Sequence, residues 1–199
     1  MSYLALHPLF SLRDPFLGPW LDLYETAFPF EERVPISHFL EVIAARADNR
    51  STNEELIAVL DEEDRFAGLL ELNLNESLRA AGLYYFAVDP ARRGQGLGAQ
   101  IYAGMLQRCR RFGCDLVVFD LEDPADCPTP EAQAFARRRI EFYQRQGAQL
   151  LPGVSYRFRR EPTSPGAQLL VMAHFLEPAP IEAAFPAAQA LLSKDIFKP

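Results

Sequence analysis

The amino-acid sequence predicts a mixed α/β (α+β) domain, with a mostly antiparallel sheet and flanking helices. Three observations carry that prediction. Two helical patterns open the chain, hairpin strands around a charged turn follow them, and only then does a strand run through a glycine-rich turn into a helix. A chain that alternated strand and helix from its beginning would instead wind around a parallel sheet. The 199 residues are 49% hydrophobic and 12% aromatic, which is enough apolar surface for one core. The chain therefore reads as a single domain over 1–199, with a core at about 14–176 and a tail at 177–199.

Residues 1–13 carry no periodic pattern and are expected to be irregular. Asp14-Pro15 then supplies an N-cap and a first-turn proline for a helix to Phe28, whose apolar face is Leu17, Trp20, Leu21, Tyr24 and Phe28. The segment Phe28-Pro29-Phe30-Glu31-Glu32-Arg33 breaks it. A second helix over Pro35–Ala47 turns Ile36, Phe39, Leu40 and Ile43 inward. Glu54–Leu60 and Phe66–Leu74 read as strands joined by Asp61-Glu62-Glu63-Asp64. After the polar turn at Asn75-Glu76-Ser77, the aromatic-rich run Gly82–Val88 is the next strand, and Pro90 ends its pairing because proline has no N–H. Leu97, Ile101, Met105 and Cys109 repeat at helical spacing until Gly113 stops them.

Asp115–Glu122 is a short, mostly apolar strand, and Asp123–Pro130 is a proline-rich loop longer than most connections. Glu131–Gln146 forms a helix with Ala136, Ile140 and Tyr143 in one row, Phe135 and Phe142 in the next, and Gly147 as its stop. Leu150–Arg160 and Ala167–Phe175 pair across the turn at 161–166, and a short helix over Ala187–Leu192 closes the pattern.

Charge and composition exclude several function classes. A net charge of −7 and a pI near 5.0 argue against nucleic-acid partners, which are held mainly through neutralised phosphates, and suit a cationic small substrate. Lysine occurs only at Lys194 and Lys198, so Schiff-base chemistry has no core lysine. Three cysteines without framework spacing suit a reducing compartment. The start lacks a basic n-region, and no apolar run reaches the ~18 residues of a membrane span, so a cytoplasmic protein without membrane association is expected. His7, His38 and His174 have no cysteine or carboxylate at ligand spacing along the chain, so no metal is expected. Cys109 and Cys114 flank a helix end, and Cys109 on an apolar stripe reads as core.

The stretch that carries chemistry is Arg93-Gly94-Gln95-Gly96-Leu97-Gly98-Ala99, placed between a strand and the first turn of a helix. Unpaired N–H groups and the positive end of the helix dipole converge there, and glycine leaves no Cβ to hold an anion away, so the stretch reads as a phosphate cradle with Arg92 and Arg93 adding charge. A Walker loop is excluded because no lysine follows the last glycine. Gly94-x-Gly96-x-x-Ala99 with Asp120 about twenty residues on loosely matches the dinucleotide fingerprint. Against a nicotinamide-dependent oxidoreductase stand the five residues between strand and glycine and the antiparallel strands upstream.

Val88-x-Pro90 followed by Arg93-Gly94-Gln95-Gly96-Leu97-Gly98 resembles motif A of the GNAT superfamily, the acetyl-CoA-dependent acyltransferases. Phe142-Tyr143-Gln144-Arg145-Gln146-Gly147-Ala148 resembles the second hallmark of that family, and the resemblance covers roughly residues 54–160. It implies a parallel strand pair that splays into an acetyl-CoA cleft. In that reading Arg93 and the backbone of Gly94, Gln95, Gly96, Leu97, Gly98 and Ala99 hold the pyrophosphate. Phe86, Ala87 and Val88 pair with the pantetheine arm, and the Val88 N–H polarises the thioester carbonyl. Tyr143 becomes the proton donor to the leaving thiolate. Glu122 ranks first as base toward the acceptor amine and Glu71 second, ahead of Glu31, Glu32 and Asp120.

Glu31 and Glu32 lie where the family builds one wall of the acceptor site, and either could hold a cation or simply cap the helix that follows. The chain departs from the family pattern at Pro128-Thr129-Pro130, which replaces a region that often carries an asparagine, and at Ala148, where many members have Phe. The activity implied is N-acetyl transfer to a primary amine, small-molecule or peptide, by direct attack. A homodimer is compatible with this. A non-catalytic acyl-CoA sensor is the alternative that would keep the glycine loop without needing Tyr143 or Glu122.

Overall fold

The structure, a computed structural model, describes residues 4–48, 50, 52–159 and 166–192, without the side chain of Glu31. Lys194, Lys198 and most of the turn expected at 161–166 lie outside the described residues. In chain order the elements are β1 (Ala5–Pro8), α1 (Leu17–Ala27), α2 (Ile36–Ala47), β2 (Glu54–Leu60), β3 (Phe66–Asn75), β4 (Ala80–Val88), α3 (Leu97–Phe112), β5 (Leu116–Glu122), α4 (Pro130–Arg145), β6 (Gln149–Phe158), β7 (Ala167–Phe175) and α5 (Phe185–Leu191). The strands form a seven-stranded sheet in the order β1-β2-β3-β4-β5-β7-β6. β4 and β5 run parallel, in register at Ala80 with Leu116, Ala81 with Val117 and Gly82 with Val118. The pairs β1–β2, β2–β3, β5–β7 and β6–β7 are antiparallel. This is the mixed, mostly antiparallel α/β architecture that the sequence predicts.

Two local expectations are corrected. Residues 5–8, expected to be irregular, form β1 against β2, with Leu6 opposite Val59 and Pro8 opposite Ile57. Four residues are too few to show alternation, and their partner lies far along the chain; an edge position also tolerates Pro8. The first helix begins at Leu17 rather than beside Asp14. Asp14 caps the turn before it instead, its Oδ1 accepting from the Phe16 N–H at 3.0 Å and its carbonyl from the Leu17 N–H at 3.2 Å.

The chain divides into two compact units, Met1–Leu74 with Leu83–Phe112, and Asn75–Gly82 with Gly113–Pro199. In the first, α1 and α2 lay an aromatic cluster on one face of β2, β3 and β4. Trp20, Tyr24 and Phe39 are fully buried, with Phe39 edge-on to Trp20 at 4.9 Å and to Tyr24 at 4.7 Å. The Trp20 indole N–H donates to the Ile57 carbonyl at 3.2 Å, so the buried polar atom is satisfied. Leu23 joins Leu17, Trp20 and Tyr24 on the buried face of α1, and Leu21 and Phe28 pack half-buried against the same cluster. Gly68 of β3 makes room for its neighbours: an added Cβ would stand 2.6 Å from the Ala87 carbonyl oxygen of β4 and 3.4 Å from Ile101 of α3.

In the second unit, Leu116 and Val118 of β5 pack with Val154, Tyr156, Leu169 and Val171 and with Phe185, Ala188 and Leu191 of α5. Phe119 takes the other side of β5, where its ring meets Tyr143 of α4 at 4.6 Å. Thr129 caps α4 by accepting from the Ala132 N–H at 3.2 Å, and Pro130 fills the first turn.

Candidate functional site

The glycine loop leaves β4 through a short turn over Pro90–Arg92, which Asp89 caps by accepting from the Ala91 N–H at 2.9 Å. Gly94 at φ 80 and Gly96 at φ 72 sit in left-handed conformations that only glycine adopts readily. An added Cβ at either would meet nothing within 4 Å, so both face open space, as a cradle for an anion requires. The first main-chain bond of α3 runs from the Gln100 N–H to the Gly96 carbonyl, and the earlier N–H groups have no acceptor within the helix. Arg93, Gly94, Gln95 and Gly96 are exposed, Gly98 and Ala99 half-buried and Leu97 buried.

The two arginines beside the loop differ. Arg93 donates from Nε to the Val88 carbonyl at 3.2 Å and folds its side chain back along the loop. Arg92, expected to add charge for a ligand, is ion-paired with Asp61 of the β2–β3 turn. Burial acts to raise the Asp61 carboxyl, but the Arg65 N–H, the Arg92 and Arg65 guanidinium groups and the Glu63 N–H outweigh it and hold it well below the usual carboxylate range. Phe86 and Val88 are half-buried and Ala87 buried at the end of β4, where the Asp89 N–H donates to the Ala67 carbonyl at 3.0 Å.

Near the acceptor wall expected from the sequence, the Tyr85 hydroxyl donates to the Glu32 carbonyl at 2.7 Å and accepts from the Val34 N–H at 3.2 Å. The Tyr24 hydroxyl donates to the Val34 carbonyl at 3.0 Å. Two tyrosines thus pin residues 32–34 to the first unit. Glu71 of β3 is 1% exposed, and burial, with the Glu54 charge nearby, pushes its carboxyl up to about 8. Neither of its oxygens has a hydrogen-bond partner. His38 Nε2 of α2 lies 2.8 Å from Glu54 Oε2 and 3.8 Å from Glu71 Oε1. Hydrogen bonding to Glu54 raises His38, although burial pulls it the other way. Histidines without a carboxylate at ligand spacing in the sequence therefore acquire one on folding: His38 in this way, and His7 with Asp14 at 2.9 Å.

In the second unit, Tyr143 is 5% exposed between Phe119 and Phe142. Burial raises its phenol above the ordinary value, and the Arg139 guanidinium, in hydrogen-bond contact with it, works in the opposite direction. Arg139 also ion-pairs with Glu122 at the end of β5. Arg137 and Arg138 are exposed, whereas Arg139 is half-buried and links Tyr143 and Glu122. Tyr156 donates to Asp120, whose carboxyl burial raises against that bond and the Arg139 charge. Sequence reasoning missed Arg139, His38 and Glu54 because each meets its partner across elements. The available signal was weak: in Arg137-Arg138-Arg139 only Arg139 lies four residues before Tyr143.

The fold and the glycine loop are those expected of an acetyltransferase, and a family model agrees. Residues 17–148 match the acetyltransferase (GNAT) family, so the chain belongs to the GNAT family of acetyltransferases. Among solved structures it is similar to a protein described as a GNAT-family acetyltransferase from Bacteroides thetaiotaomicron, at 20% identity and TM-score 0.72 over 94% of each chain. It is also similar to spermidine N-acetyltransferase from Vibrio cholerae in complex with CoA and spermine, at 16% identity and TM-score 0.63 over 86% of this chain and 95% of that one. A dodecameric structure of the same Vibrio enzyme aligns at 15% identity and TM-score 0.60, over 86% and 93%. A search of curated proteins returned no match. Among the described residues, no helix is long and apolar enough to cross a membrane.

Proposed function

We propose that the protein transfers an acetyl group from acetyl-CoA to a cationic primary amine by direct attack. The observation that supports this most is the loop at 93–99 within the family-matched region, whose two left-handed glycines face open space at the start of α3. The N–H groups of Gly94 to Ala99 would hold the pyrophosphate, with Arg93 beside them, and the β4 backbone at Phe86, Ala87 and Val88 would hold the pantetheine arm. The bound donor supplies the thioester. The Val88 N–H then stabilises charge on the thioester oxygen as the amine attacks.

Tyr143 gives its proton to the departing sulfur. The Arg139 charge beside the phenol favours the phenolate that this step leaves behind. The ammonium proton of the acceptor passes first to a carboxylate, the freed amine attacks, the C–N bond forms as the C–S bond breaks, and the second nitrogen proton returns to the Tyr143 phenolate. We assign the carboxylate's role to Glu122, which is half-buried and held in place by Arg139. Glu71 has a raised carboxyl suited to a base, but its oxygens are enclosed, whereas a base must reach the proton directly or through one water. The acidic balance of the chain suits a cationic acceptor, and three cysteines without framework spacing suit work in the cytoplasm. A homodimer is compatible with this reading.

Tyr143→Phe tests the reading. Turnover, followed as CoA release with a panel of primary amines, should fall by about 10²–10⁴-fold while acetyl-CoA affinity stays within about twofold. A variant with unchanged turnover contradicts the acid role, and a protein that binds acetyl-CoA but turns over no amine fits the sensor alternative.

A further inference from the structure

The group beneath α2 has no part in the chemistry assigned above. Its geometry begins in the β2–β3 ladder, where Glu54 stands opposite Asn73 and Leu56 opposite Glu71. Glu54 and Glu71 are therefore diagonal neighbours on one face. α2 lays His38 over them, so that His38 Nε2 is 2.8 Å from Glu54 Oε2 and 3.8 Å from Glu71 Oε1, and one ligand atom from each of the three residues lies within 4.8 Å of the other two. Glu71 is 1% exposed and neither of its oxygens has a hydrogen-bond partner, a costly state for a buried carboxyl group. Something with positive charge belongs against it.

Ligand atoms in a tetrahedral site with bonds of about 2.1 Å stand about 3.4 Å apart, a spacing that the two distances from His38 Nε2 bracket. Two carboxylates and a neutral imidazole also balance the charge of a divalent ion. The His38 side chain is 39% exposed, which gives an ion a way in. We infer that His38 Nε2, Glu54 Oε2 and Glu71 Oε1 form a binding site for a divalent transition-metal ion. The imidazole makes zinc a better match than magnesium, which prefers an all-oxygen shell and keeps several waters. A bound ion would tie α2 to β2 and β3.

The test uses the full chain, stripped with a chelator and titrated calorimetrically with Zn²⁺ alone, with Mg²⁺ as the control. The site predicts one saturable Zn²⁺ per chain, a raised thermal midpoint and a weak or absent Mg²⁺ signal. Glu71→Gln and His38→Ala, checked for folding by circular dichroism, should each weaken Zn²⁺ binding by at least about tenfold. Anomalous scattering at the zinc edge from wild-type crystals should place the ion between His38, Glu54 and Glu71, and this arm needs no variant to fold. Absence of Zn²⁺ binding, equal affinity in both folded variants, or an anomalous peak elsewhere, such as at His7 and Asp14, would each overturn the site.

Discussion

At the residue scale, Gly96 and Asp61 show how single positions set the glycine loop. Gly96→Asp puts a side chain on a left-handed residue and a carboxylate into the space where an anion would lie. Acetyl-CoA binding should fall below detection in a calorimetric titration, whereas undiminished affinity would remove the loop from the site. Asp61 is folded with a depressed carboxyl, so the unfolded chain binds its proton more tightly. Its stabilising contribution is present above the ordinary carboxylate value near 3.8 and is lost as pH falls below it. Asp61→Asn can still accept from the Glu63 and Arg65 N–H groups while giving up the charge that Arg92 and Arg65 meet. Urea unfolding between pH 5 and 2.5 should therefore show a flatter acid limb for this variant, and parallel curves would speak against the Asp61 assignment.

Between elements, close packing links the sheet to the loop. Gly68→Ala would place a methyl 2.6 Å from the Ala87 carbonyl, which is backbone and can yield only if β3 and β4 shift. A loss of about 1–3 kcal/mol in stability is expected, with weaker acetyl-CoA binding because Ala87 and Val88 move. Stability unchanged by denaturant titration would contradict that packing. Phe39→Ala, which removes the ring shared by Trp20 and Tyr24, should cost about 3–5 kcal/mol. What the sequence made legible at this scale was local. Strand, proline, glycines and helix lie next to one another between Ala80 and Phe112, so backbone demands and apolar spacing can be read directly. β1 was not legible, because four residues carry no period and their partner is distant. His38 with Glu54 and Glu71, and Arg139 with Glu122 and Tyr143, were hidden for a related reason: each arrangement arises only when separate elements fold together.

For the whole molecule, order of elements was the informative quantity. Hairpin strands ahead of the strand-to-helix unit argued for a mostly antiparallel sheet, and the sheet order with its parallel β4–β5 pair meets that expectation. The choice between phosphate ligands followed from the same order, and membership of the GNAT family agrees with it. The residues given to catalysis depend on the donor being acetyl-CoA, so the most direct test is equilibrium binding to the full chain. Calorimetric titration with acetyl-CoA, with NAD in parallel, should give saturable 1:1 binding of acetyl-CoA and no signal from NAD. Binding of NAD with silence from acetyl-CoA would turn Gly94-x-Gly96-x-x-Ala99 into a dinucleotide loop and contradict the roles given to Tyr143 and Glu122.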